Sequence, residues 1–473
     1  MISNNKLYKG LVWSTVDKFL IVGVQILIEI VLARFVSPRE YGIMGMLLII
    51  ISLSQVFVDS GLGSALIFNK NRNEKDFSTA FYASIMIGVI TYLFIFILAP
   101  YIATFFKTNI TLYIRIISFT IIISSISVIY KTRLNINLDF KSQAKFSFFA
   151  IFISGIIGIG MAVSNFGLWS LIAQNILFNL LTLVFLIINL KWYPKEKFSF
   201  QTFKNLFQYS SKLLYAGIFN SIYINLNSLF LGKFFPAKEL GYYTKSYQFT
   251  IFPASIFTNV IQRVLFPYYV GLQTDKSKLF QNTLLFNKII FTVMMPLLSI
   301  VIIYAHQIII FSLSKDWENM VLPFQILLGS IIFYPLIVLN MNVFQVLGKT
   351  NNFFWIEVGT KVIGIVILLL LYSYGINGIC LGIFIQFFIQ YIITSYFVSN
   401  ITRQSFFKSL NIILYLILGL IILFGVLQIM EISSSLLFNN ILPISVFLIF
   451  YGLFYYIIFR RELVIVYSKF LKR

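Results

Sequence analysis

Blocks of about 20 apolar residues, separated by short polar segments, recur along the whole chain, and each is long enough to cross the ~30 Å hydrocarbon core of a bilayer as a helix. Read between polar breaks, the pattern predicts about fourteen spans. Their limits are 12–33, 41–59, 79–105, 112–130, 146–164, 167–190, 206–231, 241–266, 284–312, 321–347, 352–374, 376–399, 409–430 and 437–459. Barrel strands would alternate apolar and polar residues in ~10-residue pieces, which these blocks do not. The expected fold class is therefore an all-α polytopic membrane protein.

Composition agrees, with 59% hydrophobic residues, 11% charged and a mean hydropathy of +0.91. Such values lie far from those of soluble domains. A net charge of +21 invites nucleic acid as a partner. The cations, however, are scattered through short loops, as on the cytoplasmic side of a membrane protein, and nucleic-acid binding is excluded. With the N-terminus placed in the cytoplasm, about 24 of the 36 cations fall in inner segments, from Lys6 and Lys9 to the tail ending in Arg473. About six fall outside: Arg34, Arg39, Lys107, Lys233, Lys238 and Lys315. The inner set includes Lys131 and Arg133, placed just past span four. A wrong span count would scramble this asymmetry, so both termini are expected in the cytoplasm. Asp17, Lys18, Gln25 and Glu29 are foreign to a cleaved signal, and the first span is expected to be retained. The single cysteine, Cys380, excludes an internal disulfide.

An internal repeat organises the spans. Leu32-Ala-Arg-Phe-Val-Ser-Pro-Arg-Glu-Tyr-Gly42 aligns without a gap with Leu231-Gly-Lys-Phe-Phe-Pro-Ala-Lys-Glu-Leu-Gly241, at an offset of 199 residues. Each joins two spans, and the motifs lie six spans apart. Six is even, so the halves run parallel, related by a pseudo-twofold axis along the membrane normal. The organisation expected is an N-lobe of six spans (1–196), a C-lobe of six (197–400), and a further helix pair with a basic tail (401–473).

Leu32–Gly42, with Asp59-Ser-Gly-Leu-Gly-Ser-Ala-Leu66 after it, resembles the polysaccharide-exporter branch of the multidrug/oligosaccharidyl-lipid/polysaccharide flippase superfamily. So do Asn225-Leu-Asn-Ser-Leu-Phe-Leu-Gly-Lys-Phe-Phe, Glu239-Leu-Gly-Tyr-Tyr243 and Phe344-Gln-Val-Leu-Gly-Lys349. The resemblance implies two six-helix bundles around a central cavity, as in the drug-exporting branch, with alternating access. The cargo it implies is an undecaprenyl-pyrophosphate-linked oligosaccharide, carried from the inner to the outer leaflet of the bacterial cytoplasmic membrane for O-antigen, capsule or exopolysaccharide synthesis. It further implies a monomer working beside polysaccharide polymerase machinery. Fourteen spans fit this branch better than the twelve of the drug exporters.

Six cations remain inside spans: Lys18, Arg115, Lys212, Lys245, Arg263 and Lys361. Intramembrane charge is costly and usually functional, and a pyrophosphate needs cations in a low-dielectric cavity. Several share helix faces with other polar residues. Lys18, Gln25 and Glu29 form a stripe on span one; Gln55 and Asp59 sit four apart on span two. Lys212, Tyr223 and Asn227, with Asn220 adjacent, mark span seven; Lys245, Asn259 and Arg263 mark span eight. Spans one, two, seven and eight are the repeat-related pairs and are expected to line the cavity. Snorkelling at span ends is the competing account for Arg115 and Arg263, and applies to Lys245 as well. Lys361 has Glu357 at i−4, so that pair is either part of the site or a structural bridge. Asp17, Glu29, Asp59 and Glu357 are candidates for coupling to H⁺ or Na⁺, with structural pairing as the alternative. His306 reads as interfacial, and Pro253, Pro296 and Pro335 as kinks within spans. Spans thirteen and fourteen are uncharged, and the family resemblance makes them candidates for flanking a polyprenyl tail.

No catalytic constellation, metal-ligand spacing or nucleotide-binding loop occurs, so neither enzyme nor cofactor is expected. Two other classes stay open: an ion-coupled drug exporter, expected to have twelve spans and an acidic cavity, and an integral polysaccharide polymerase or ligase, expected to carry a large outer loop.

Overall fold

The computed structural model describes residues 23–59 and 61–409, together with residues 414 and 425. Lys18, Asp17, and nearly all of spans thirteen and fourteen lie outside the described residues, as does the Asn259 side chain. The described chain is helical. Residues 23–35 form α1, followed by α2 (Pro38–Asp59), α3 (Leu62–Phe68), α4 (Glu74–Phe105), α5 (Thr111–Ile117), α6 (Phe119–Ile136), α7 (Phe140–Val163) and α8 (Leu168–Leu190). Then come α9 (Phe200–Phe234), α10 (Ala237–Val260), a π-helical turn (Ile261–Leu265), α11 (Phe266–Val270), α12 (Lys276–Ile303) and α13 (Ala305–Ser312). A 3₁₀ turn (Lys315–Met320) leads to α14 (Val321–Ile331), α15 (Phe333–Val346), α16 (Thr350–Leu371) and α17 (Gly375–Thr402).

Spans two to twelve each correspond to one of these helices or to a consecutive pair. Span four breaks at Ser118, and span ten breaks at Ile332. That break puts Pro335 in the first turn of α15 rather than inside a continuous helix, where the missing N–H costs nothing. Among the described residues, eight helical stretches are long and apolar enough to cross a membrane, one of them, Thr350–Thr402, holding both α16 and α17. Neither α9 nor α10 qualifies by composition. Their polar residues dilute the apolar run, which suits helices that face something other than lipid.

Side chains at the helix starts explain where several helices begin. Asn73 accepts from the Asp76 amide, and Asp76 accepts from the Asn73 amide, closing a capping box on α4. Asp139, Ser199 and Asp275 cap α7, α9 and α12 by accepting from the amides of Ser142, Thr202 and Lys278. The amide of Lys278 holds the Asp275 carboxyl below its ordinary pKa. All four caps lie at ends that the charge pattern assigns to the cytosol.

Contacts divide the described chain into two compact units, one running to Thr244 with Ser312–Trp317 added, the other holding Lys245–Phe311 and the residues from Glu318. In the first, α4, α6, α7, α8, α2 and α9 pack as a bundle. In the second, α17 packs against α14, α15 and α16, with α12 against α15. Arg133, expected in a loop, lies on α6 because the helix runs on to Ile136. It bridges to Glu74 at 2.7 Å and stacks on Phe77 and Trp192, while the Trp192 indole also donates to Glu74.

The repeat motif has a packing role, visible entirely within the first unit. A Cβ added at Gly42 would lie 1.6 Å from the Ala237 carbonyl oxygen, and one at Gly241 would lie 1.9 Å from that of Pro38. Gly42 and Gly241 are repeat mates, and so are Pro38 and Ala237. The contact is thus reciprocal, as a twofold demands. Gly45 continues it against its own mate, Thr244. Ala33 and Gly232 are mates as well: the Trp317 indole donates to Ala33 O at 2.9 Å, and Phe106 packs on Gly232. Glu40 caps two helices, accepting from Ser37 N of α2 at 2.9 Å and Leu168 N of α8 at 3.0 Å. Without a hydrophobic force between helices in lipid, such small-residue contacts are what hold them.

Gly42→Ala and Gly241→Ala should each lower stability by about 2 kcal/mol or more, since neither facing carbonyl can move away. Gly160→Ala, which meets nothing within 4 Å, should leave it unchanged or slightly raised. Thermal unfolding of the purified protein in detergent checks this; equal behaviour of all three variants contradicts it.

Candidate functional site

The polar stripes of α2 and α9 meet. Ser52, Gln55 and Asp59 recur at i, i+3 and i+7 along α2, and Gly217, Ser221 and Asn225 at i, i+4 and i+8 along α9. They wall a cavity of ≈ 560 Å³, together with Val56, Gly61, Ser64, Leu213, Leu214, Asn220 and Ile224. Asn225 Nδ2 donates to Ser52 Oγ at 3.0 Å and to the Ser221 carbonyl at 2.8 Å, and the Ser52 and Ser221 hydroxyls lie 3.4 Å apart. Gln55 Nε2 donates to Asp59 Oδ1 at 3.1 Å. The Asn225–Ser52 bond and the Ser52–Ser221 contact join the two helices across the cavity.

Glycines set that spacing. Gly217 has Val56 2.8 Å from where its Cβ would be, so α2 and α9 approach closely there. Gly61 takes φ +73°, open to glycine at little cost, and lets the chain turn from α2 into α3. A Cβ on it would also come within 2.9 Å of Ser210. Asp59 ends α2 directly before this turn, facing the cavity.

Lys131, counted among loop cations by the charge pattern, sits on α6 instead, again because that helix extends to Ile136. Its neighbour Thr132 packs against Gly63 on α3. The side chain is reached by solvent yet surrounded by protein, and its charge interacts with that of Asp59.

The predicted site residues divide by location. Gln55, Asp59 and Asn220 come together in the cavity. Lys212 is exposed next to the lining residues Leu213 and Leu214; Tyr223 and Asn227 are half-buried on α9 and do not line this cavity. Gln25 is half-buried on α1, where Glu29 accepts from Tyr41 at 3.3 Å. Lys245 is buried beside Gln248, at 3.4 Å, and Phe249. Arg263 lies in the π-helical turn, where the preceding residue, Gln262, donates to Asn342 of α15 at 3.3 Å. Lys361 and Glu357 form an i,i+4 ion pair at 3.2 Å. Arg115 donates to the Phe96 carbonyl and stacks on its ring. His306 is exposed beside Glu318. Ser52, Ser221 and Asn225 escaped the sequence reading, although small and polar residues at helical spacing were there to find them. Among the described residues no cluster of three or more His, Cys, Asp or Glu side chains suits a metal.

An all-helical polytopic membrane protein with a polar, hydrogen-bonding cavity between two of its helices is the class that fold and site define. Residues 31–322 match the family described as polysaccharide biosynthesis proteins, and the chain belongs to that family. It is similar to the teichuronic acid biosynthesis protein TuaB of Bacillus subtilis (strain 168), 23% identical over 66% of this chain and 65% of TuaB. That match spans just under two thirds of TuaB's length. It is also similar to the lipopolysaccharide biosynthesis protein WzxC of Escherichia coli (strain K12), 22% identical over 69% of this chain and 67% of that protein. Among solved structures, the lipid II flippase MurJ in an inward closed conformation shares the fold, with a TM-score of 0.75, 16% identity, and 96% and 100% of the two chains covered. An inward-facing multidrug resistance MATE transporter of the MOP superfamily shares it at a TM-score of 0.60 and 16% identity, over 80% of this chain and 96% of that one.

Cysteine labelling tests the cavity, because Cys380 is buried and gives a silent background. Asn220→Cys and Ser52→Cys should react with a hydrophilic maleimide. Ile90→Cys, exposed on the outer surface of α4, should react only with a lipid-soluble one. Equal labelling of all three by the hydrophilic reagent would rule out the cavity.

Proposed function

We propose that the protein is a flippase for an undecaprenyl-pyrophosphate-linked oligosaccharide, moving it from the inner to the outer leaflet of the bacterial cytoplasmic membrane during O-antigen, capsule or exopolysaccharide assembly. The observation that carries this reading is the polar cavity of α2 and α9 at membrane depth, in a chain belonging to a polysaccharide biosynthesis family. Sugar hydroxyls cannot shed water into hydrocarbon without replacement partners. Gln55, Asn220 and the Ser52, Ser221 and Asn225 network offer donors and acceptors of that kind. A relative from Rhizobium meliloti named succinoglycan biosynthesis transport protein ExoT, and the lipid II flippase MurJ, support the transport of lipid-linked saccharide.

In this reading Lys18 and Lys212 receive the pyrophosphate from the cytosolic side, and Arg263, Lys361 and Lys245 are further candidate binding cations. The lobes open alternately to each face while both termini stay in the cytosol. H⁺ or Na⁺ held at Asp17, Glu29, Asp59 or Glu357 supplies the driving force. The unit acts as a monomer, handing its cargo to polymerase machinery, and performs no covalent chemistry itself. The MATE-like fold favours, as a second reading, ion-coupled export of amphipathic drugs.

A deletion strain should accumulate lipid-linked repeat units in the inner leaflet. Normal flipping with unpolymerised units outside would mark a polymerase, and loss of drug resistance with normal polysaccharide would mark an exporter. Restoring the gene as Lys18→Gln/Lys212→Gln should reduce polysaccharide export by at least about tenfold with membrane insertion intact. Unchanged export removes those two lysines from the site.

A further inference from the structure

Helix α8 stops at Lys191, which takes the left-handed φ of +44°, and the chain stays non-helical until α9 begins at Phe200. The strap between them, residues 191–199, is pinned to the first unit from beneath. Tyr130 donates to the Trp192 carbonyl at 3.0 Å, and the buried Trp192 indole donates to Glu74. Further along, the amides of Glu196 and Ser199 donate to two hydroxyls of α4, Ser78 at 3.2 Å and Thr79 at 3.3 Å. Other side chains of the strap turn outwards. Lys191, Lys195 and Lys197 are exposed, as is Lys204 where α9 starts. Tyr193 (65% exposed), Phe198 and Phe200 (71% exposed) stand among them.

Two features of this surface point to one partner. The first is charge: from 191 to 204 four lysines meet a single acid, Glu196. The acids at the start of α4 are already engaged, Glu74 with Arg133 and Trp192, Asp76 in its capping box. Among the described residues none of the four lysines is in an ion pair, and Lys195 lies 5.8 Å from the centre of the Tyr193 ring. The second is the aromatic rings. Exposed to water they would leave much apolar area unburied, whereas at the level where a span ends they lodge between headgroups and chains. The strap is at that level, because α8, which it follows directly, is long and apolar enough to be a span.

We propose that residues 191–204 are a docking surface for the anionic phospholipid headgroups of the surrounding bilayer, with the lysines on the phosphates and the rings at the chain edge. An acidic protein would match the charge but would not explain aromatic rings held at a span end. Docking reaches the cavity through Ser199, which caps α9, the helix that carries Gly217, Ser221 and Asn225. Membrane composition thus bears on the cavity wall, whatever the cargo.

A fluorophore on Gln201→Cys, an exposed position, tests this in the full-length protein in nanodiscs, with buried Cys380 silent. Phosphatidylglycerol and phosphatidylcholine carrying the same brominated chains are compared as quenchers. Phosphatidylglycerol should quench about twofold or more better, and about 1 M salt should erase the difference. Lys195→Gln/Lys197→Gln/Lys204→Gln should erase it too, while the corresponding triple Arg variant keeps it and so guards against a folding defect. The same label on Asn109→Cys, exposed beyond the other end of α4, should show no such preference. Equal quenching by the two lipids at Gln201→Cys, or a preference that survives the Gln variant or is matched at Asn109→Cys, overturns the proposal. Quenching by neither lipid would mean that the strap stands off the bilayer and serves a protein partner instead, which also overturns it.

Discussion

Polar side chains cannot face hydrocarbon cheaply, and the arrangement of α2 and α9 follows from that constraint. An amide or hydroxyl without a partner in an apolar medium costs several kcal/mol, about 4–8 on the least forgiving scale, and a carboxylate at the centre of a span costs more still. Gln55, Asp59, Asn220 and Asn225 lie on helices that otherwise read as membrane spans. They are tolerable only where they meet each other or water. Asn225 reaching across to Ser52, and Gln55 to Asp59, are the first solution; the open part of the cavity is the second. Asn220 and Asn225, with the other polar residues of α9, keep that helix from qualifying as an apolar span by composition.

The reciprocal glycine contact supplies the leverage. Gly42 and Gly241 press backbone against backbone, while the hydrogen-bonded part of the cavity begins at Ser52, ten residues or about 15 Å further along α2. Trp317 on Ala33 and Phe106 on Gly232 brace that contact from two sides, at positions that the 199-residue offset relates. Helices pinned at one end by small residues still leave room further along, where Ser52, Asn220 and Asn225 line the cavity. Glu40, by capping α2 and α8 together, ties the pinned end into the rest of the bundle.

Much of this was legible in the sequence. Apolar blocks located the spans, and the Leu32 and Leu231 motifs gave the repeat whose glycines touch. The polar stripe of α2 was readable because Gln55 and Asp59 are its conspicuous members. The cavity face of α9 was not. A stripe anchored on Lys212 runs through Tyr223 and Asn227, whereas the lining face centres on Gly217 and Ser221, roughly a third of a turn away. Long charged side chains mark a face loosely because they bend, and close approach is marked by the small ones. Lys131 was hidden for another reason. Counting apolar residues ends span four at 130, but Arg133 finds Glu74 and two aromatic rings, and so the helix continues with its polar residues inside protein. Loop cations and helix cations cannot be told apart by hydropathy at such an end.

A carrier's affinity has to be limited as well as sufficient, and magnitudes show why an acid belongs near the receiving cation. Two unit charges 4 Å apart attract by about 4 kcal/mol at an effective dielectric of 20, and by far more if water is excluded. A pyrophosphate meeting several unopposed lysines would be held too firmly to leave the far side at a useful rate. An internal carboxylate changes the comparison: the lysine exchanges one anion for another, and the net gain is a difference of two similar energies. That exchange works only if the acid is close enough to act and not already locked in contact. Glu357, already in contact with Lys361 at 3.2 Å, is locked in that sense. The flexible stem of a lysine, rather than the rigid fork of an arginine, suits a cation that must swing between two partners.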